Sequence, residues 1–349
     1  MNVARPDLSA LDPAVAAYIE ALETELERLR PAARLSERVS ELPPLPVEPS
    51  EPPTTLNVIT LSAGGRAKRT PRHLYFRQRR GGMGIFDLAG VDRDPPALIT
   101  LADESQALVF ITDHGRAFRM PVSELPESPV HSRGQALGGR LGLLGGERVT
   151  VVFPDSGGTY LVLVTQRGQV RRLRFHYFGA NLMPGTIIHD VKEGGPPAAA
   201  CWTNGDGELF IATRKGEAIR FAERQVPVRG CLGMRVDPDD AVVAVAPVTA
   251  ESGVFLLGDD GKGTIRMMAG FSPNKAPGAG GKLAIKTEQL VGATTVADNQ
   301  DIFIISELGK LIRFQAVEVP AKDGVVQGVN CMTLRGDRTV AVVSASIGG

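Results

Sequence analysis

Aromatic side chains, cysteines and net charge are all scarce in this chain of 349 residues, and each shortage excludes something. With 1 Trp and 4 Tyr against 40 Gly and 25 Pro, the composition suits short strands joined by tight turns rather than packed helices. The three cysteines, Cys201, Cys231 and Cys331, lie far apart and form no CxxC pair. That excludes a disulfide framework or a zinc site and leaves small core residues in a reducing compartment. No apolar run reaches the roughly 18 residues of a membrane span, and no basic segment leads into an apolar stretch at the N-terminus. A cytoplasmic protein with no membrane partner is expected.

Familiar chemistry is missing as well. Gly281-Lys282 is followed by Leu283, so there is no GxxxxGK[ST] phosphate loop, and no GxSxG elbow occurs. The five histidines, His73, His114, His131, His176 and His189, show no ligand spacing. Asn204-Gly205-Asp206-Gly207 lacks the further acids of a calcium loop and reads as a hairpin turn. No catalytic residue, cofactor or metal is expected, and the chain reads as non-catalytic.

Net charge is zero, with 39 Lys and Arg against 39 Asp and Glu, but it is unevenly spread. Residues 1–55 hold 10 acids and 5 bases, residues 56–100 hold 3 and 8, and residues 101–349 hold 26 of each. A local basic patch can steer an anionic partner even on a neutral molecule.

Three regions follow one another. Residues 1–42 read as a helical segment: Asp12-Pro13 has the form of an N-cap and first helical position, and Val15, Ile19, Leu22, Leu26 and Leu29 form a short heptad seam. A seam this short needs a partner, whether a second copy in a coiled-coil homodimer, another protein or the chain's own body. Residues 43–53, with Pro43, Pro44, Pro46, Pro49, Pro52 and Pro53, read as a semi-rigid spacer. Residues 54–349 are repetitive.

Each repeat has an apolar strand, a glycine turn and a second strand carrying an arginine. The glycine–arginine pairs are Gly65 and Arg69, Gly115 and Arg119, Gly168 and Arg172, Gly216 and Arg220, Gly261 and Arg266, and Gly309 and Arg313. The glycines are 50, 53, 48, 45 and 48 residues apart. A second glycine point follows at Gly81, Gly134, Gly185, Gly230, Gly280 and Gly328, and then another apolar strand. Six such units cannot bury their sheets singly and must stack around an axis, which predicts an all-β, six-bladed propeller with a short N-terminal helix. The recurring arginines either form a positive track on the rim or brace their own hairpins.

The densest basic stretch is Arg66-Ala67-Lys68-Arg69-Thr70-Pro71-Arg72 followed by Arg77-Gln78-Arg79-Arg80-Gly81-Gly82-Met83-Gly84. Arginine forks beside glycines suit phosphate, because guanidinium and bare backbone N–H groups can both approach an anion. Arg133, Arg229 and Lys282, beside the later glycine points, are weaker candidates of the same kind.

Gln78 to Gly84, QRRGGMG, resembles the signature box of the DNA gyrase A C-terminal domain, and Gly65 to Pro71 is similar to that family's GxxKRTP lead-in. Met83 departs from the basic residue usual there. The resemblance implies a six-bladed β-pinwheel, here in a stand-alone version without the topoisomerase core. Its rim would bind double-stranded DNA without reading sequence, bend or wrap it and so influence DNA topology, in association with the nucleoid. The residues it implicates are Lys68, Arg69, Arg72, Arg77, Gln78, Arg79, Arg80, Gly81, Gly82 and Gly84, joined by the hairpin residues Arg119, Arg172, Arg220, Arg266 and Arg313. A topoisomerase core acting in trans is the partner it suggests for the helix. The alternative is a protein-interaction scaffold with little DNA affinity, which the balanced charge of residues 101–349 favours.

Overall fold

In the computed structural model, residues 12–24, 51–274 and 276–346 are described. The chain forms two compact units, residues 1–48 and 49–349. In the first, a helix spans residues 13–24, and the Asp12 carboxylate accepts the Ala14 N–H at 2.8 Å as its N-cap. Val15 and Leu22 of the expected seam are exposed on this helix. Leu26, Leu29, the remainder of the helical segment to residue 42 and prolines 43 to 49 lie outside the described residues. The expected coiled coil is not supported: the protein is overwhelmingly β, and this one short helix is marginal by itself.

The second unit is a six-bladed β-propeller. The middle strands are Leu56–Ser62, Ala107–Thr112, Tyr160–Thr165, Glu208–Thr213, Gly253–Gly258 and Gln300–Ser306, and nearly all of their residues are buried. Burial on both faces explains their continuous apolar character, and the two-residue period of a strand divides each between two interfaces. In the second blade Leu108 and Phe110 face the first blade while Val109 and Ile111 face the third. The same alternation holds at every interface, ending with Phe303 and Ile305 of blade six against Val58 of blade one. Each middle strand turns through its hairpin glycine, all six of which have positive φ, into the strand that carries the arginine.

Nearest the axis run Pro96–Asp103, Val149–Pro154, Pro197–Thr203, Val242–Val248, Leu290–Val296 and Thr339–Ser346, each touching the next until the ring closes. They line a central channel of about 450 Å³ with small apolar side chains such as Ala97, Ala199, Ala244 and Ala293.

The outermost strand of every blade is donated by the following unit. Gln135–Ala136 pairs with Arg66–Pro71, Thr186–Ile187 with Arg116–Pro121, and Cys231–Leu232 with Gln169–Arg174. Lys282–Leu283 pairs with Glu217–Ala222 and Val329–Asn330 with Lys262–Met267. The first unit completes the circle, its Ile85–Phe86 pairing with Lys310–Gln315 of the sixth blade. The glycine that admits each donated strand sits hard against the preceding blade. A Cβ on Gly84 would lie 2.8 Å from the Leu311 carbonyl oxygen, and one on Gly134 2.6 Å from that of Ala67. In the fifth unit the positive-φ glycine is Gly278, not Gly280 as the spacing suggested.

Candidate nucleic-acid interface

The hairpin arginines are braces. Arg220 is buried, hydrogen-bonds Glu208, and donates to the Met268 and Phe271 carbonyls of the next blade at 2.7 and 2.9 Å. Arg172 donates to the Val226 carbonyl of the next blade at 2.8 Å. Arg313, with 1% of its surface exposed, pairs with Asp301 and Glu51 and donates to the Tyr75 carbonyl of blade one at 3.0 Å. Buried Arg266 holds the Gly270 carbonyl, buried Arg69 lies 3.3 Å from Glu104, and half-buried Arg119 pairs with Asp155 at 2.6 Å. The expectation of a cationic track made of these residues is therefore corrected. Blade stacking brings carbonyls of the next blade to Arg172, Arg220 and Arg313, while Arg69, Arg119 and Arg266 are held within their own units, and charge that is desolvated or paired in this way is withdrawn from an outside phosphate.

The lead-in is consumed in the same way. Lys68 is buried and pairs with Asp87, donating also to Tyr75 Oη at 3.1 Å and to the Asp87 carbonyl at 2.9 Å. Burial pushes its ammonium below the usual lysine range, more than Asp87 restores. Tyr75 also donates to Asp87, and Thr60 completes the set at 2.9 Å. Arg72 is buried against Glu51 at 2.7 Å, and Arg77 pairs with Asp301 at 2.9 Å. Glu51 belongs to the tail of the expected spacer, so that end is docked on the propeller instead of spanning solvent. Burial raises the Glu51 carboxyl, but hydrogen bonds and charge from Arg313 and Arg72 outweigh it and leave the group below the usual range.

Gln78 to Gly84 forms the strap that closes the ring. The Gln78 N–H donates to the Arg313 carbonyl and that of Gly81 to the Cys331 carbonyl, both at 2.8 Å. The Gly82 N–H donates to Arg79 and the Gly84 N–H to Gln78 Oε1, so these glycine donors are satisfied internally instead of facing an anion. Arg80 holds the Glu318 carbonyl at 2.7 Å and the Asn330 carbonyl at 3.2 Å.

Arg79 is the exception. It stands exposed on this strap, and its side chain has no ion pair or hydrogen bond among the described residues. Arg133 and Arg229, each directly before the glycine that leads a donated strand, are likewise exposed and without ion pairs there. Lys282, on a donated strand itself, is also exposed, though its ammonium donates to the Ser272 carbonyl and lies 4.5 Å from the Phe271 ring centroid; burial above all, then Arg220 and Arg266, lowers its pKa. The cations that sequence spacing ranked second are thus exposed on the rim, together with others such as Lys322 on an outer strand. Their signal was their place beside the second glycine, which becomes the sheet edge only once the strands are exchanged.

Residues 56–87, 106–150, 207–249 and 300–347, from blades one, two, four and six, match the family model described as DNA gyrase C-terminal domain, beta-propeller. The chain is 28% identical over 300 residues to the DNA gyrase A protein of Mycobacterium bovis and 27% identical over 301 residues to that of Staphylococcus epidermidis. Both matches cover 82% of this chain but only 36% and 34% of those relatives, about a third of their length. A solved DNA gyrase A C-terminal domain superposes with a TM-score of 0.73 at 22% identity, covering 82% of this chain and 98% of that one. The C-terminal domain of DNA topoisomerase IV gives 0.56 at 18% identity, covering 84% and 94%. The superpositions show the shared propeller fold.

Proposed function

Taking the propeller's likeness to the DNA gyrase A C-terminal domain as premise, we propose that this chain binds duplex DNA along its rim without reading sequence and bends it. Arg79, Arg133, Arg229 and Lys282 are the phosphate contacts, and Arg80 with the box glycines holds the strap that presents Arg79. The observation that carries this reading is the exposed guanidinium of Arg79 at the point where the ring closes, without an ion pair or hydrogen bond among the described residues. Bending a site of 20–30 base pairs by 40–90° costs on the order of 1–6 kcal/mol, so contacts spread over several blades are required.

Duplex binding should fall with salt at a log–log slope of roughly −3 to −4, about −0.9 for each of four phosphates, and Arg79→Ala should make that slope shallower by about 0.9. Unrelated duplexes should compete equally, and closing relaxed circles with ligase in the protein's presence should alter their linking number. Absence of duplex binding at about 50 mM salt would overturn the reading. It would instead favour a protein-binding propeller, for which exposed Tyr177, Met183 and Ile187 supply apolar surface.

A further inference from the structure

The second residue of each donated strand lies on the rim and is exposed, and in five of the six blades it is apolar: Phe86, Ala136, Ile187, Leu232 and Leu283, with Asn330 in the sixth place. Single apolar residues on a surface need no explanation. A recurrence at one register position around a ring is different, because nothing in the fold calls for it. The first residue of each pair varies freely, from Gln135 to Thr186 to Lys282.

Phe86 is the most developed of the set. The residue is 54% exposed, yet three units converge on it. Lys310 of blade six, its partner in the ladder, places Nζ 5.3 Å from the ring centroid. His131 of the second unit lies 6.0 Å away, tilted at 51°. Among the described residues His131 is the one non-glycine with positive φ, at 59°. The adjoining Ser132 holds that loop in place, donating to Asp87 and accepting from Ala89, each at 3.2 Å. Arg133 follows, positioned over Gly90. Neither Lys310 nor Arg133 has a carboxylate partner among the described residues, so the exposed apolar ring lies against one unneutralised cation, with a second on the adjoining loop.

We propose that this apolar register, and Phe86 above all, contacts the deoxyribose face of the bent duplex in its minor groove while Lys310 and Arg133 take phosphates on either side. Duplex DNA offers that pairing of surfaces at each inward-facing minor groove, and apolar side chains set among cations are a recognised means of holding a bent duplex. The inference rests on the rim-binding reading above and adds to it a nonpolar component and one further phosphate contact, Lys310, which steepens the expected slope by about 0.9.

The two kinds of contact separate by salt. A phosphate contact releases counterions and an apolar one does not. In fluorescence anisotropy with a fluorescein-labelled duplex of about three helical turns, Phe86→Ala should weaken binding by about five- to tenfold with the salt slope unchanged. Arg79→Ala should weaken it and make the slope shallower, and Ala136→Leu, which enlarges the apolar surface at the second blade, should tighten it. Circular dichroism melting of the same samples confirms that each variant is folded. If wild-type protein binds with the expected slope and Arg79→Ala makes it shallower, but Phe86→Ala binds as wild type, the apolar contact is wrong and the rim reading stands. A Phe86→Ala loss accompanied by a shallower slope also overturns it, since the ring would then act only by placing Lys310. If the wild-type chain binds no duplex at all, both readings fall together.

Discussion

Between blades one and two, Phe118, Leu125 and Leu137 fill the seam with hydrocarbon. Between blades six and one, the same three places hold Lys68, Tyr75 and Asp87. The equivalence is geometric. Phe118 and Lys68 each precede a hairpin arginine, Leu125 and Tyr75 each end a short 3-10 turn, and the Leu137 and Asp87 N–H groups both donate to the preceding hairpin glycine. Ile219 and Ile312 fill the place of Phe118 at two further seams, and Arg171, donating to the Ile188 carbonyl at 3.2 Å, fills it between blades two and three. The charged seam accepts one strand only, because a displaced Asp87 would leave Lys68 buried without its counterion. Such a pair adds little net stability compared with hydrocarbon, but breaking it is costly, which suits a device that specifies where the ring closes.

The comparison can be broken most severely at Lys68. Lys68→Met leaves Asp87 buried and unpaired and should cost about 3–5 kcal/mol in denaturant unfolding. The double substitution Lys68→Phe with Asp87→Leu, which copies the neighbouring seam, should recover most of that loss. Recovery no better than the single variant would mean that the seam tolerates only its own polar set.

Glu51 sharpens the comparison through pH. Its folded-state pKa is depressed, so its contribution is fully present above the unfolded glutamate value near 4.3 and is lost as pH falls through the folded value. Glu51→Gln should lower stability on the order of 1–3 kcal/mol at neutral pH and by progressively less towards acid. An unchanged gap between the two melting curves down to about pH 3 would refute this. The smallest effect belongs to the exposed pair of Arg338 with Glu307 at 2.6 Å, outside the seam. Arg338→Ala should alter stability by less than about 1 kcal/mol, and the small difference should vanish in high salt.

What could be read in advance followed the range of the forces involved. The six hairpins were legible because positive φ at Gly65 or Gly216 is a demand of the turn itself. Strand alternation was legible because Leu108 to Ile111 carry their period within four residues. The donated strands were not: two residues, as in Gln135–Ala136, have no period to detect, and their partners lie in another repeat. The box was recognisable as a motif, yet its internal use was hidden, since the Cys331 and Glu318 carbonyls that hold Gly81 and Arg80 are more than 230 residues away in sequence.

The residues by themselves therefore determined the number of blades, the place of each hairpin and the faces that enter the core, because turn preference and strand period act over neighbouring positions. Only the tertiary structure decided which cations are spent and which remain available. Arg313 and Arg79 are the same side chain, one within an apolar strand and the other among glycines and arginines. One is met by carboxylates and carbonyls that the closing ring carries to it, and the other is left facing water.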